Sequence, residues 1–195
     1  MDRDTELSLV QRLGEGDGAA FDAVHAEFNA RLFSFLTRLS RHRDVAEDLL
    51  EETWLRLVAH AGELRADTRL GPWLFTVARN LHVSYCRSRL LEDSRAASLL
   101  ALWPFNPDRS SPFEETAANE LERRVEAALA ALPVKFREVL LLVSVEGLQP
   151  SEAADVCGVT PEAMRQRLSR ARGMLARALE AGESASSPVL NEVAP

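Results

Sequence analysis

The clearest pattern of hydrophobic and polar positions along the chain lies between residues 132 and 179. Helix-start and helix-stop residues divide this segment into three helices, because proline is tolerated in a helix's first turn and glycine adopts the left-handed conformation that ends one. Threonine is a favourable N-cap, and an acid stabilises the positive end of the helix dipole. In chain order the marks are Pro133, Glu146-Gly147, Pro150, Cys157-Gly158 and Thr160-Pro161-Glu162. A short helix, a tight turn and a longer helix predict a helix-turn-helix.

The third helix of this segment has one hydrophobic and one basic face. Spacings of three and four place a set of apolar residues on one buried stripe: Met164, Leu168, Ala171, Leu175 and Leu179. The opposite arc carries Arg165, Gln166, Ser169, Arg170, Arg172 and Arg177, with Arg167 on its flank. No acid lies between residues 163 and 179, and arginine and glutamine can read guanine and adenine in the major groove. We interpret this helix as a DNA-reading helix; the alternative is a solvated arginine-rich helix of an ordinary bundle.

An N-terminal module is predicted from about residue 15 to residue 92. Asp44 is a candidate N-cap for a second helix that runs from Val45 to about His60, and Pro72 can open a third that reaches about Arg89. The polar segment between them is predicted to be a loop. The first helix is marked by a hydrophobic stripe of Phe21, Val24, Phe28, Leu32, Phe35, Leu36 and Leu39.

The second helix of this module carries an acidic cluster. Its buried face is predicted to contain Ala46, Leu49, Leu50, Thr53, Trp54, Leu57 and Val58. The opposite face carries Glu47, Asp48, Glu51 and Glu52, with Leu55 among them. Like charges one turn apart cost roughly 0.2–0.5 kcal/mol per pair. We expect this face to bind a basic partner, with Leu55 as the apolar anchor; the alternative is an acidic surface with no role.

The third helix of the module is predicted to have a mixed outer face that can bind a nucleic-acid backbone or unstacked bases. That face carries Thr76, Arg79, Asn80, Val83 and Arg87, opposite a buried set of Trp73, Leu74, Val77, Ala78, Leu81 and Tyr85. His82 and Cys86 lie four residues apart, but no further ligand is near in the sequence, so we expect no metal site.

Two small helical modules joined by a linker make an all-α protein. The C-terminal module spans residues 118–182, and the linker of residues 93–117 contains three prolines and an apolar patch at 99–105. That patch either packs on a module or enters a partner's groove. Residues 183–195 have the composition of a disordered tail.

Charge and composition limit the range of possible functions. The net charge is −7, while residues 118–182 hold nine basic and nine acidic residues, so basic character is confined to local faces. Because phosphate contacts supply most non-specific affinity, we expect the chain to bind DNA weakly alone and to need a partner. The N-terminal residues lack an apolar core, so we expect no signal peptide, and we find no membrane-spanning run and no catalytic motif in the sequence. Cys86 and Cys157 suggest no disulfide framework. We expect a cytoplasmic protein that is not an enzyme and has no cofactor.

The order of the motifs resembles a known family. The segments "DVAEDLLEETWLRL", "GPWLFTVARN" and "LPVKFREVLLL…GLQPSEAADVCGVTPEAMRQRLSRAR" together resemble the extracytoplasmic-function (ECF) sigma factors of the sigma-70 family. The resemblance implies a subunit that directs bacterial RNA polymerase to promoters. It implies a domain 2 that docks on polymerase and reads the −10 element, a domain 4 that reads the −35 element, and an anti-sigma factor as a further partner.

The resemblance also implies roles for individual residues. Glu47, Asp48, Glu51, Glu52 and Leu55 match the polymerase-docking helix. Arg69, Thr76, Arg79, Asn80 and Arg87 match the −10 segment, and Arg165, Gln166, Arg167, Ser169, Arg170 and Arg172 match the −35 recognition helix. Glu162-Ala163 stands where the family often has Gly-Thr, and Glu51 where it commonly has Gln.

Two other classes of function stay open at this point. One is a sigma-like decoy that sequesters an anti-sigma factor without binding DNA, although such a decoy would not need the acid-free arginine face. The other is a helix-turn-helix regulator that works without polymerase, which would need a dimer interface or a ligand pocket.

Overall fold

The computed structural model describes residues 1–97 and 120–186 of the chain, and within these ranges it contains helices and no strand. The prediction of an all-α protein is confirmed. Short turns of 3-10 type at Ala61–Glu63 and of π type at Leu141–Val145 interrupt the regular helices. The helices are α1 (Arg3–Gly14), α2 (Gly18–Ser40), α3 (Arg43–His60), α4 (Leu70–Ala97), α5 (Glu120–Ala131), α6 (Val134–Leu140), α7 (Pro150–Cys157) and α8 (Pro161–Ser186).

Helix α1 was not predicted from the sequence. It is capped by Asp2, whose carboxylate accepts a hydrogen bond from the Thr5 backbone N–H. Leu9, Val10 and Leu13 are buried, and α1 packs against α2. Only one short run of apolar residues marks this helix among its charged neighbours, so the periodicity is too brief to stand out. The N-terminal domain therefore includes residues that precede residue 15.

The N-terminal domain (residues 1–97) is built on α2, whose predicted hydrophobic stripe packs against α3 and α4. Phe35 and Phe75 meet edge to face with their ring centroids 5.2 Å apart. Burial of Phe75 and His82 in α4 was not predicted, and Val58 of α3, predicted to be buried, is exposed. The prediction for α4 was wrong because it assumed a single buried face, whereas residues of both domains pack against this helix.

Three predicted boundaries also differ. The N-cap of α3 is His42, so Asp44 lies in the first turn instead of capping it. Helix α4 begins at Leu70 and continues through Ala97, into the predicted linker. Helix α8 continues through Ser186, into the predicted disordered tail. The apolar patch at 99–105 lies outside the described residues.

The C-terminal domain (residues 120–186) contains the predicted helix-turn-helix. Gly147 and Gly158 have φ values of +72° and +63°, so both adopt the left-handed conformation that the turns require. The Thr160 hydroxyl accepts from the Ala163 N–H at 3.2 Å and caps α8. Met164, Leu168 and Ala171 are buried, as the stripe predicted.

Arg137 joins the two domains at the ends of two helices. Its guanidinium donates to the carbonyls of Leu129, Ala130 and Leu132 at the end of α5, and to those of Arg38 and Leu39 in the last turn of α2. These carbonyls lie at or just beyond the C-terminal ends of the two helices, where the helix dipoles are negative, and that of Leu129 also accepts from the Leu132 backbone N–H at 3.1 Å. Burial lowers the pKa of Arg137 from its ordinary value, and Arg41 nearby adds to the shift.

We predict that Arg137→Met destabilises the protein by about 2–4 kcal/mol, because the change leaves several buried carbonyls without a charged donor. Arg137→Lys should recover only part of this loss, since an ammonium cannot reproduce the planar set of donors. The measurement is chemical unfolding followed by circular dichroism. Arg123→Met, on the exposed side of α5, is the control and should change the free energy of unfolding by less than about 0.5 kcal/mol. A similar change for both methionine variants would contradict this role.

Candidate functional site

The outer face of α8 is exposed and basic, as predicted. Of its arginines, Arg165 is ion-paired with Glu162, while within the described ranges Arg167, Arg170, Arg172 and Arg177 form no ion pair. Arg167 is half-buried on the flank of the face. Arg170 and Arg172 therefore present free guanidinium groups on this face, and the paired Arg165 lies nearest the turn that begins at Gly158, in the position from which a helix-turn-helix reads bases.

Glu162 contacts two of the residues predicted to read bases. Its carboxylate accepts from the Arg165 guanidinium, and the nearby Gln166 side chain contributes to the lowering of the Glu162 pKa. The Arg165 guanidinium is the main reason that the pKa of Glu162 lies below its ordinary value.

The acidic face of α3 is exposed, but it is less uniformly negative than predicted. Glu47 pairs with Arg43 at 3.0 Å and Glu52 pairs with Arg56 at 2.8 Å, each along the helix. Among residues 1–97 and 120–186, Asp48 and Glu51 have no ion-pair partner. The unbalanced charge of this face is thus concentrated on Asp48 and Glu51.

A groove of about 380 Å³ lies beside this acidic face, between α2 and α3. Leu55 is 56% exposed and Val58 61% exposed, and both line the groove. Its floor includes the Trp54 indole, whose Nε1 donates to Asn29 Oδ1 at 3.0 Å. The groove is apolar with two carboxylates at its edge, and it is lined by Phe21, His25, Glu47, Leu50, Glu51, Trp54, Leu55 and Val58.

Some of the residues predicted to contact the −10 element already form ion pairs or hydrogen bonds within the protein. Arg79 reaches Glu138 of α6 at 3.4 Å, and Arg69 reaches Glu152 of α7 at 3.0 Å as well as Glu6 at 3.2 Å. Thr76 is half-buried and its hydroxyl donates to the Pro72 carbonyl. Asn80 and Arg87 are exposed. The structure therefore places this set on or beside α4, with Arg69 and Arg79 facing the C-terminal domain.

Glu138 is the centre of a buried polar cluster between the domains. Its side chain is 6% exposed and lies near His82 of α4 and Cys157 of α7. Burial lowers the pKa of His82, and the charge of Glu138 opposes this effect. Burial and then Glu138 raise the pKa of the Cys157 thiol. The Cys86 Sγ and His82 Nε2 atoms are 3.6 Å apart. Among the described residues, no group of three or more metal-ligating side chains is found.

Two further ion pairs cross between the domains on α2. Arg31 Nε lies 3.0 Å from Glu146 Oε2, and Arg38 Nη2 lies 2.7 Å from Glu126 Oε1. Burial raises the pKa of Glu146, while Arg31 offsets part of that shift. The sequence does not identify these four residues as partners, because their separation along the chain is about a hundred residues and no local pattern connects them.

Two family models match the chain in the order of its domains. Sigma-70 region 2 matches residues 25–90 and Sigma-70, region 4 matches residues 122–175. In residues 1–97 and 120–186, no helix combines the length and the apolar character that crossing a membrane requires.

The chain is also similar to known sigma factors in sequence and to solved structures in fold. The chain is 36% identical over 150 residues to the ECF RNA polymerase sigma factor EcfG of Rhodopseudomonas palustris (strain TIE-1), covering 76% of this chain and 78% of that protein. It is 32% identical over 163 residues to the RNA polymerase sigma factor CarQ of Myxococcus xanthus, covering 83% and 90%. The sigma factor RpoE of Bartonella quintana, solved with the anti-sigma factor NepR, is 26% identical with a TM-score of 0.64, covering 80% and 95%. CnrH, solved with the cytosolic domain of CnrY, has a similar fold at 22% identity and a TM-score of 0.65, covering 91% and 98%.

Proposed function

Because the chain belongs to the sigma-70 family, as an ECF sigma factor that directs transcription initiation, we propose that three of its surfaces divide this work. The acidic face and groove of α3 dock on RNA polymerase core, the α4 region contacts the −10 element, and α8 reads the −35 element. The chain is a transcription regulator rather than a catalyst. Its site of action is the cytoplasm, where polymerase and promoters are found.

The observation that carries this proposal is the outer face of α8. Exposed arginines without ion-pair partners among the described residues lie on the recognition helix of a helix-turn-helix. Holding like charges together without counter-charges is unfavourable unless an anionic partner binds there. The same face argues against a decoy that does not bind DNA.

The partner that fits the α3 surface is a helix with basic and apolar side chains. The clamp helices of the largest polymerase subunit are the partner that the family relationship implies. Asp48 and Glu51 would attract the basic side chains, and an apolar side chain would fill the groove beside Leu55 and Trp54. Charge then steers the encounter, while desolvation of the groove slows dissociation.

An anti-sigma factor is a further proposed partner. The relatives solved as complexes include RpoE with NepR, and this chain covers 95% of that RpoE chain. A basic partner could compete for the groove of α3, because Glu51 at its edge has no ion-pair partner among the described residues.

The test of the function is purification with core polymerase followed by run-off transcription on a genomic library. Core binding with defined start sites supports the proposal. Binding to neither core nor promoter DNA would favour the decoy, and DNA binding without core binding would favour an independent regulator.

We predict that Glu51→Arg and Leu55→Ala weaken core binding about tenfold or more while changing the free energy of unfolding by less than about 0.5 kcal/mol. Both side chains are exposed, so little folded-state packing is lost. The measurements are a core-binding titration and a chemical unfolding curve for each variant. Glu15→Arg, an equal charge reversal at the end of α1, is the control. Normal core affinity in both groove variants would place the docking surface elsewhere.

We also predict a division of roles along α8. In the holoenzyme, Arg165→Ala should cost roughly 1–3 kcal/mol and relax base preference at one −35 position, because residues near the N-terminus of a recognition helix reach the bases. Arg172→Ala should weaken all sequences alike and reduce the salt slope by about one, as expected of a phosphate contact. Binding to a panel of singly substituted −35 elements at several salt concentrations measures both effects. Equal loss across the panel for the two variants would refute this division.

A further inference from the structure

Helix α1 contacts the loop that precedes α4 through two charged residues of its first turns, Arg3 and Glu6. The loop consists of residues 65–69, and it belongs to the region proposed to contact the −10 element, through Arg69. The range matched by Sigma-70 region 2 begins at residue 25, so α1 lies outside it. The contacts between α1 and the loop are therefore a feature of this chain that the family match does not describe.

Arg3 holds the middle of the loop. Its Nη2 donates to the Asp67 carbonyl at 2.7 Å, and its Nη1 donates to the Thr68 carbonyl at 3.3 Å. Nη1 also donates to Glu6 Oε2 at 2.6 Å, which fixes the guanidinium against its own helix. The two carbonyls lie in a turn that the Thr68 N–H closes by donating to the Arg65 carbonyl at 2.9 Å. Arg3 thus fixes this turn from a distant part of the chain.

Glu6 holds the end of the loop and the start of α4. Its Oε1 accepts from the Leu70 backbone N–H at 2.7 Å, and its Oε2 lies 3.2 Å from Arg69 Nε. Both Glu6 and Leu70 are buried. The first N–H groups of a helix have no acceptor within the helix, and the side chain of Arg69, which precedes α4, contains no acceptor. Glu6 therefore caps α4 from another helix, and its negative charge lies at the positive end of the α4 dipole.

The attachment of α1 to the domain does not depend on these polar contacts alone. The buried apolar residues that follow Glu6, namely Leu9, Val10 and Leu13, belong to the core, and α1 also packs against the 3-10 turn at Ala61–Glu63. Apolar burial is the dominant favourable contribution to such packing, whereas the net contribution of a buried ion pair is small after its desolvation cost. Arg3 and Glu6 add a fixed position for the loop.

The side chains of the loop remain accessible while its backbone is held. Those of Arg65 and Asp67 are 83% and 69% exposed and pair with each other at 3.0 Å. That of Arg69 is 56% exposed. Accessible polar side chains on a backbone that is fixed by a folded scaffold are the arrangement that a binding loop requires.

We propose that Arg3 and Glu6 are positioning residues that hold residues 65–69 in the conformation that recognises the −10 element. Exposed loops are mobile, and ordering a loop on binding costs conformational entropy. A loop that is already ordered in the free protein avoids this cost and presents its side chains in one direction. This inference rests on the proposed function and adds residues that determine specificity at its −10 surface.

The first experiment measures the order of the loop in the free full-length protein by amide hydrogen exchange. Arg3→Met should raise the exchange rate of residues 67–70 several-fold, because two loop carbonyls lose their donor and the turn opens more often. Arg12→Met is the matched control, since it removes an arginine of the same helix whose ion pair with Asp17, at 2.7 Å, lies outside the loop. In Arg12→Met this segment should exchange at the wild-type rate. Equal exchange in the two variants would overturn the proposal.

The second experiment measures recognition by the holoenzyme on a panel of singly substituted −10 elements, with the panel of −35 elements as an internal reference. Arg3→Met and Glu6→Ala should each reduce −10 preference several-fold and leave −35 preference unchanged. Glu6→Gln keeps an acceptor for the Leu70 N–H but loses the charge that the two arginines contact, so it should recover part of the preference. Asp4→Asn, at an exposed position of the same turn, controls for the loss of one negative charge and should match the wild type.

The comparison between the two panels separates positioning from stability. A variant that is only less stable has a smaller fraction of active molecules, which weakens binding to every promoter by the same factor and leaves base preference unchanged. Arg3 is only partly buried, so Arg3→Met tests the proposal even where Glu6→Ala fails to fold. A lower melting temperature with unchanged −10 preference in Arg3→Met and Glu6→Gln would overturn the proposal and leave the proposed function intact. A wild-type holoenzyme without any −10 preference would instead contradict the proposed function.

Discussion

The contact between the two domains depends on neutralising helix ends and buried acids with arginine. Arg137 alone satisfies carbonyls from α2 and α5, which belong to different domains. Around it, arginines of the N-terminal domain neutralise acids that have little contact with water, such as Glu138 and Glu146. A buried acid without a cation would be costly, so these contacts hold the packed arrangement together as a set. These ion pairs act together with apolar packing, because buried apolar residues of both domains belong to one core cluster.

The helix-turn-helix could be predicted from the sequence because each of its boundaries is marked by a residue with a local physical effect. Gly147 and Gly158 adopt left-handed conformations that most residues avoid, and Thr160 caps its helix through its own hydroxyl. Such effects act over a few residues and do not depend on the rest of the fold. The acidic face of α3 could be found for the same reason, since helical spacing alone places its residues together.

The rest of the candidate site depends on contacts between distant parts of the chain. Burial of His82 and the partners of Arg69 and Arg79 depend on packing of α7 against α4 and on an ion pair to Glu138 of α6. A periodic pattern describes one buried face for each helix, so it cannot reveal that α4 is covered from two sides. Local patterns also missed the intrahelical pairs that neutralise Glu47 and Glu52, because the acids were counted without their basic neighbours.

The docking groove and the domain interface lie on different sides of α2. Phe21 and His25 face the groove, whereas Arg31 and Arg38 face the C-terminal domain. At about 100° per residue the mean directions of these two pairs differ by about 110°, a little more than a quarter turn around the helix. None of the residues that line the groove takes part in the four interdomain ion pairs. A polymerase helix can therefore reach the groove in the packed arrangement of the two domains. The binding free energy released at the groove would then hold the chain beside the promoter, which raises the local concentration of DNA for the proposed −10 and −35 surfaces.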